Sequence, residues 1–160
     1  MNDYTNYTSW LAKGEWIRVS ARAIIFNRAH DRVLIERGSG SQSEFANFIG
    51  GGVEVGERLQ ASIERELNEE TDAKVLRAQY LFVVENFFPH HAQIRHSLEH
   101  YFEIALDREE IVPTNSGVEF TWAPIAELAA LDLRPLVVRD RIIDGTYRSV
   151  GHLIMAEAGD

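Results

Sequence analysis

Residues 59–71 constrain this chain most. They are rich in Leu, Ile, Ala, Arg, Gln and Glu, contain no Gly or Pro, and end in Thr71-Asp72, which is the composition of a helix. On a wheel of about 100° per residue with Leu59 at zero, Ile63 falls at about 40° and Leu67 at about 80°, a narrow apolar stripe. Glu66 falls near about −20° and Glu70 near about +20°, in or beside that stripe, with Glu69 flanking at about −80°. A helix that buries this stripe therefore carries carboxylates towards the core. A solvated acidic face is the common alternative. Yet Glu at i, i+3 and i+4 repel by a few tenths of a kcal/mol per pair even on an exposed helix, and beside them only Arg65 offers an offsetting charge. A divalent cation removes the conflict, because hard cations take oxygen ligands and are held by one or two carboxylates plus substrate phosphates.

The run Gly50-Gly51-Gly52 stands just ahead of this helix. Glycine permits a tight, positive-φ backbone and close approach of a ligand. Alone, such a run is more often a plain turn. Leading into a carboxylate-bearing helix, its carbonyls can complete a metal's coordination, and N–H groups near the helix start can face phosphate.

Elsewhere the chain reads mostly as strand. Arg18–Asn27 and Arg32–Glu36 are joined by turn residues, Gly38–Ser43 is a loop, and Phe45–Ile49 is a short apolar segment before the glycines. Val75–Phe88 and Ile94–Leu106 are long strands with a hairpin end at Pro89-His90-His91, and Val118–Trp122 is a further short strand. Pro124–Ala130 and Pro135–Ile143 read as helices with proline at the start. Tyr147–Ala156 has no decisive pattern. This order defines a mixed sheet with helices, α/β in class or α+β in some schemes. The 160 residues suit one domain, 1–160, with 1–14 loosely ordered.

No cysteine is present, which excludes disulfides, thiolate nucleophiles and Cys-based zinc sites. The formal charge of −9 argues against a long nucleic-acid partner, which clustered Lys and Arg would hold, but not against a small phosphorylated ligand. Met1–Trp10 has no basic start or apolar run, and no stretch approaches the roughly 18 apolar residues of a membrane span. A cytoplasmic protein without a membrane partner is the expectation. His90, His91, His96 and His100 lie close in sequence. Without cysteine, and with His96 and His100 far apart along an extended chain, they read as loop and strand histidines rather than zinc ligands.

Gly51, five residues, Glu57, seven residues, Arg65-Glu66-Leu67, one residue, Glu69-Glu70 resembles the signature of the Nudix (MutT-like) hydrolases, G-x5-E-x7-R-E-U-x-E-E-x-G-U with U a bulky aliphatic. Gly51, Glu57, Arg65, Glu66, Glu69 and Glu70 match its fixed positions without a gap, and Leu67 fits the first aliphatic one. Asp72 stands where the signature has Gly, and Ala73 where it has a larger aliphatic. Asp tolerates the left-handed conformation better than most residues, so a small stability cost is expected there.

The resemblance implies an α/β/α sandwich with a mixed β-sheet. It implies hydrolysis of a nucleoside diphosphate linked to another moiety, by water attack on phosphorus, with Mg²⁺ as cofactor and Mn²⁺ as a substitute. By motif position, Glu66, Glu69, Glu70 and Gly51 are the metal residues. Glu57 supports the site, and Arg65 pairs with a motif carboxylate, Glu57 first; an ordinary surface ion pair is the alternative. Glu54 is either a further member of the metal shell or a loop charge. The general base is a motif glutamate or an outside acid, Glu85, Glu99, Glu103 or Glu119, each of which also reads as an exposed strand charge; Glu99 is preferred for its neighbours His96 and His100.

Candidates for phosphate are Arg37, Arg134 and Arg139, with Gly51 and Gly52, since Arg forks match phosphate oxygens; surface charge is the alternative for each arginine. Phe45, Phe87, Phe88, Trp16 and Trp122 are base-stacking or core aromatics, and Asn47 or Asn86 reads a base edge or caps a turn. A Nudix fold that binds a nucleotide without turnover, as a sensor or regulator, is the competing reading. A plain acidic interaction domain is a third. A homodimer is compatible with the family.

Overall fold

The computed structural model describes residues 16–38, 45–90, 93–114, 117–149 and 151–156. The segment 1–14, most of the Gly/Ser loop and His91 lie outside them. Nine strands are described: β1 (Ile17–Ile25), β2 (Arg32–Gly38), β3 (Ala46–Asn47), β4 (Gly50–Gly52), β5 (Val75–His90), β6 (Gln93–Leu106), β7 (Val118–Pro124), β8 (Leu133–Arg134) and β9 (His152–Ala156). The helices are α1 (Leu59–Glu70) and α2 (Leu136–Ile143), with 3-10 segments at Ile125–Ala130 and Tyr147–Ser149. No described helix is long and apolar enough to cross a membrane.

Two sheets form. One has the order β4-β1-β6-β5-β9, with β1–β6 and β5–β9 parallel and its other pairs antiparallel; the second has the order β7-β2-β3-β8. Strand alternation divides the apolar residues into two cores. Ile24, Phe82, Val84 and Tyr101 of the first sheet meet Val33 and Ile35 of the second and Phe48 just after β3, bordered by Val138 and Ile142 of α2. On the opposite face of the first sheet, Ala21, Ala23, Ile25, Phe102 and Ile104 receive Ile63 and Leu67 of α1. Ala21 and Ala23, both fully buried, keep β1 low enough for α1 to lie against it. The mixed sheets with helices on both cores are the α/β arrangement the sequence leads one to expect.

Four details differ from the sequence reading. Gly50–Gly52 is not a loop but an edge strand, paired with β1 through Ser20↔Gly52, Ala21↔Gly51 and Arg22↔Gly50. Glycine is required there by proximity: a Cβ on Gly50, whose φ is +135°, would stand 2.2 Å from the Ala21 carbonyl oxygen. Pro124–Ala130 contributes a 3-10 turn rather than an α-helix. Leu133–Arg134 is a short strand beside β3. Tyr147–Ala156 divides into a 3-10 turn and β9, which adds in parallel to β5.

Asp72 bears no left-handed strain. Among the described residues His30 is the only non-glycine at positive φ. Thr71 ends α1 in an extended conformation. Asp72 Oδ1 then accepts from the Val112 N–H at 3.0 Å, and Arg108 approaches Oδ2 at 3.5 Å. Thr114 N–H donates to the Glu70 carbonyl at 2.9 Å, and the Thr114 hydroxyl donates to the Glu69 carbonyl. The segment 107–114 thus satisfies carbonyls that a helix C-terminus leaves open.

Candidate active site

Arg65 is the hub of the motif. Its Nε donates to Glu57 Oε1 at 2.9 Å and its Nη2 to Glu57 Oε2 at 3.0 Å, a fork-on-fork pair. Nη2 also donates to the Gly52 carbonyl at 3.0 Å, which ties α1 to the glycine strand. Nη1 reaches Glu66 at 3.0 Å and the exposed Glu69 at 3.3 Å. The Arg65 guanidinium and the Glu54 N–H together hold the Glu57 carboxyl down to about 2, and Glu57 in turn raises Arg65. Glu66 lies directly against Gly51: a Cβ there would stand 2.3 Å from Glu66 Oε1.

Glu70, one turn on, has a different environment. Its Oε2 is buried and has no hydrogen-bond partner among the described residues. Burial pushes its carboxyl up to about 7, and the charges of Glu36 and Glu66 add to the shift. Glu36 is itself raised, by burial first and by Glu66 as well, against the pull of Arg22. Glu36 follows Leu34 by two residues, so it shares the face on which Leu34 packs with α1. Arg22 donates to the Phe48 carbonyl at 3.2 Å and the Gly50 carbonyl at 2.8 Å, and favours the ionised forms of both Glu36 and Glu70.

Neither Glu36 nor Arg22 was singled out from the sequence. The period-two step from Leu34 to Glu36 was a usable signal once β2 was known to face α1.

The oxygen-only donor set fits a hard divalent cation. The partnerless Glu70 Oε2, crowded by like charges, is the observation that such an ion would answer. As the side chains stand, no three His, Asp or Glu groups among the described residues converge tightly enough to hold a metal. Arg65 draws Glu66 and Glu69 to itself.

Glu99 is not gathered with these groups. On β6, Phe102 and Ile104 face α1, so Tyr101 and Glu99 face the second sheet. Glu99 accepts hydrogen bonds from Ser97, Asn86 and Tyr101 there. The neighbours that recommended it as a base are engaged elsewhere: His96 Nε2 lies 3.1 Å from Glu85, and His100 Nδ1 lies 3.1 Å from Tyr80 Oη. Glu103, almost fully buried, is gripped by Arg148 at 2.7 and 2.8 Å. Glu119 lies opposite Arg37 across β2 and β7, and Arg37 is exposed at the end of β2.

Arg134 shares a sheet row with Asn47 and Glu36 but is bound by Asp132, at 2.5 Å. Arg139 is turned to Asp140 and the Leu131 carbonyl. Trp122 packs against the core beneath α1 and donates its N–H to the Glu109 carbonyl. Phe87 stacks on His96 at 4.3 Å, and Trp16 lies beneath Arg95.

A glutamate-lined helix laid against a glycine edge strand, its arginine forked onto the loop carboxylate, is the arrangement of one class of phosphate-bond hydrolases. Residues 16–142 match the NUDIX domain, and the chain belongs to the NUDIX family, the Nudix (MutT-like) hydrolases. Over 112 residues it is 32% identical to the NAD-capped RNA hydrolase NudC of Deinococcus radiodurans, a match covering 62% of this chain and 38% of that protein. The chain therefore spans less than half the length of that curated relative. The fold is shared with the MutT protein from Methanosarcina mazei Go1, at TM-score 0.66 and 19% identity over 83% of this chain and 94% of that one. It is also shared with the NUDIX domain of Shewanella oneidensis NrtR complexed with ADP ribose, at TM-score 0.65 and 16% identity over 90% and 96%.

Proposed function

We propose that this protein is a divalent-metal-dependent pyrophosphohydrolase that cleaves a nucleoside diphosphate linked to another moiety. The partnerless, buried Glu70 Oε2 at the head of the Glu66–Glu69–Glu70 set carries the reading. The relatives support the substrate class: an NAD cap and ADP ribose each contain a nucleoside diphosphate joined to a second group. The charge of −9 favours a free small molecule over a long RNA. A cytoplasmic setting suits such a substrate.

Glu66, Glu69, Glu70 and the Gly51 carbonyl are the groups that would hold the ion, Mg²⁺ or in its place Mn²⁺. Bound there, it would neutralise phosphate oxygens and make a water acidic enough to attack. The chain's own work is positioning. Arg65 clamps Glu57, the Gly52 carbonyl and α1 into one body. Glycine at 51 lets the backbone meet the Glu66 carboxyl. Without an ion the Glu70 carboxyl stands at about 7, and a cation held there would favour its ionised form.

The competing reading, a nucleotide-binding module without turnover, draws on Arg65's hold on Glu66 and Glu69. A phosphate-release screen separates the two. The protein is incubated with Mg²⁺ and a panel of nucleoside triphosphates, nucleotide sugars and dinucleoside polyphosphates, then with phosphatase, alongside Glu70→Gln. A hit lost in the variant is expected. Nucleotide binding with no product across the panel would favour the module.

A further inference from the structure

Among the described residues outside the signature, Glu36 is the acid whose charge acts on Glu70. Two strand pairings place it. On β2 it follows Leu34 by two residues, roughly 7 Å along the strand and on the same face, where Leu34 packs with Ile63 and Leu67 of α1. On the side of β3 it stands abreast of Asn47. The next residue, Phe48, turns its ring into the other core, while Arg22 donates to its carbonyl. Arg22 also donates to the Gly50 carbonyl, and the adjacent Gly51 meets the Glu66 carboxyl. Glu36 therefore sits where the second sheet, the glycine strand and α1 come together.

Nothing bonded at that place offsets its charge. The side chain is partly buried and hydrogen-bonds to no described residue. Phe120 and Asn47, which stand abreast of it, are both neutral. Arg22 draws it by charge alone, while Glu66 and Glu70 repel it. Glu70 Oε2 is buried and partnerless as well. Like charges left unbonded and partly desolvated are costly, and a neutral residue at 36 would avoid that cost. A structural carboxylate finds donors, as Glu99 does in Tyr101 and Glu103 in Arg148. Open oxygens set beside other open oxygens are what a hard cation takes up.

We propose that Glu36 is a further oxygen group of the divalent-cation site, joining Glu66, Glu69, Glu70 and the Gly51 carbonyl from a strand that the signature does not reach. This rests on the metal-dependent reading of the site. The ion then links the second sheet to α1.

The test is Mn²⁺ binding by the full chain near neutral pH, read from the loss of the free-ion EPR signal. The native protein is compared with Glu36→Gln, Glu36→Asp and Glu70→Gln. Glu127→Gln, exposed in the 3-10 segment Ile125–Ala130, controls for net charge. Glu36→Gln should weaken Mn²⁺ binding by roughly tenfold or more, the scale on which metal sites respond to loss of a supporting group. Glu36→Asp keeps the charge on a shorter arm and should fall between. Glu127→Gln should stay within about twofold, since salt screens a distant surface charge. In EDTA, Glu36→Gln should melt no lower than the native protein, because its carboxylate has no bonded partner to lose. A loss of Mn²⁺ affinity no greater than that of Glu127→Gln would overturn the proposal. So would melting below the native protein in EDTA, which would make Glu36 a structural group. If Glu70→Gln loses the ion and Glu36→Gln does not, the metal-dependent reading stands and this inference falls. If the native protein takes up no Mn²⁺, both fall.

Discussion

Replacing Glu70 with glutamine should make the metal-free protein more stable while removing its chemistry. In the native chain the Glu70 carboxyl stands at about 7 instead of the ordinary 4.5, through burial and the charges of Glu36 and Glu66. One pKa unit is worth 1.36 kcal/mol, so the ionised form is penalised by roughly 3 kcal/mol at most. Its residual contact with solvent reduces that to about 1–2 kcal/mol. Because the folded value is raised, the native state keeps the extra proton between 4.5 and about 7, and metal-free stability falls as pH rises through that window. Glutamine keeps the shape and removes the charge.

In EDTA at pH 8 the variant should therefore melt about 2–8 °C above the native protein, taking about 2–4 °C per kcal/mol for a chain of this size. Near pH 4 the two should coincide. Mg²⁺ should raise the native melting temperature by linkage and raise the variant's much less. Hydrolysis should drop by roughly a hundredfold or more. A variant that melts lower than the native protein at pH 8 in EDTA, or one that keeps the full Mg²⁺ shift, would refute the reasoning.

Gly51→Ala forces the Glu66 carboxyl off its position, since the new Cβ would lie 2.3 Å from it. The expected result is a weakened Mg²⁺-induced thermal shift and at least tenfold lower activity, with a stability change of only about 1 kcal/mol because the end of a side chain can move. Asp72→Gly restores the signature residue but loses the bond to the Val112 N–H and the approach of Arg108. Denaturant unfolding should show a loss of about 1 kcal/mol, with activity within a few-fold. Arg148→Ala strips the buried Glu103 of its bidentate partner and leaves Arg77 at 3.5 Å. A loss of about 2 kcal/mol is expected, below the 3–5 of a fully buried pair because Arg148 is half exposed. Arg148 holds the Glu103 carboxyl below its ordinary value, so this stabilisation is fully present above that value, and the gap between native and variant should close as pH falls from there through the lower folded value.

The helix was legible because its signal is local: periodicity, the absence of Gly and Pro, and fixed carboxylate spacing all lie within one segment. Gly50–Gly52 was not legible as a strand, because three glycines carry no strand preference. What makes them a strand is the nearness of the Ala21 carbonyl and the Glu66 carboxyl, contributed from elsewhere in the chain. The preference for Glu99 as base failed to foresee strand parity. His96 and His100 flank it in sequence, but an odd-numbered neighbour of even-numbered residues on β6 points to the opposite face. For Arg134 and Arg139 the sequence did hold a warning, since Asp132 and Asp140 stand two residues before one and directly after the other. Glu36 and Arg22 needed the sheet order, because β2 and β1 reach α1 only through the tertiary fold.

The clasp at the end of α1 has a consequence for how this protein breathes. Terminal turns ordinarily fray, and their amides exchange with solvent at little cost. Here the carbonyls of Glu69 and Glu70, the last two signature glutamates, are both tethered by Thr114, and the Asp72 N–H donates to the Val112 carbonyl. Opening that turn requires the segment 107–114 to lift away with it, so the two should exchange as one cooperative unit. The segment carries no signature residue, yet a change that loosens it should free the last turn of the helix and the two carboxylates that turn carries.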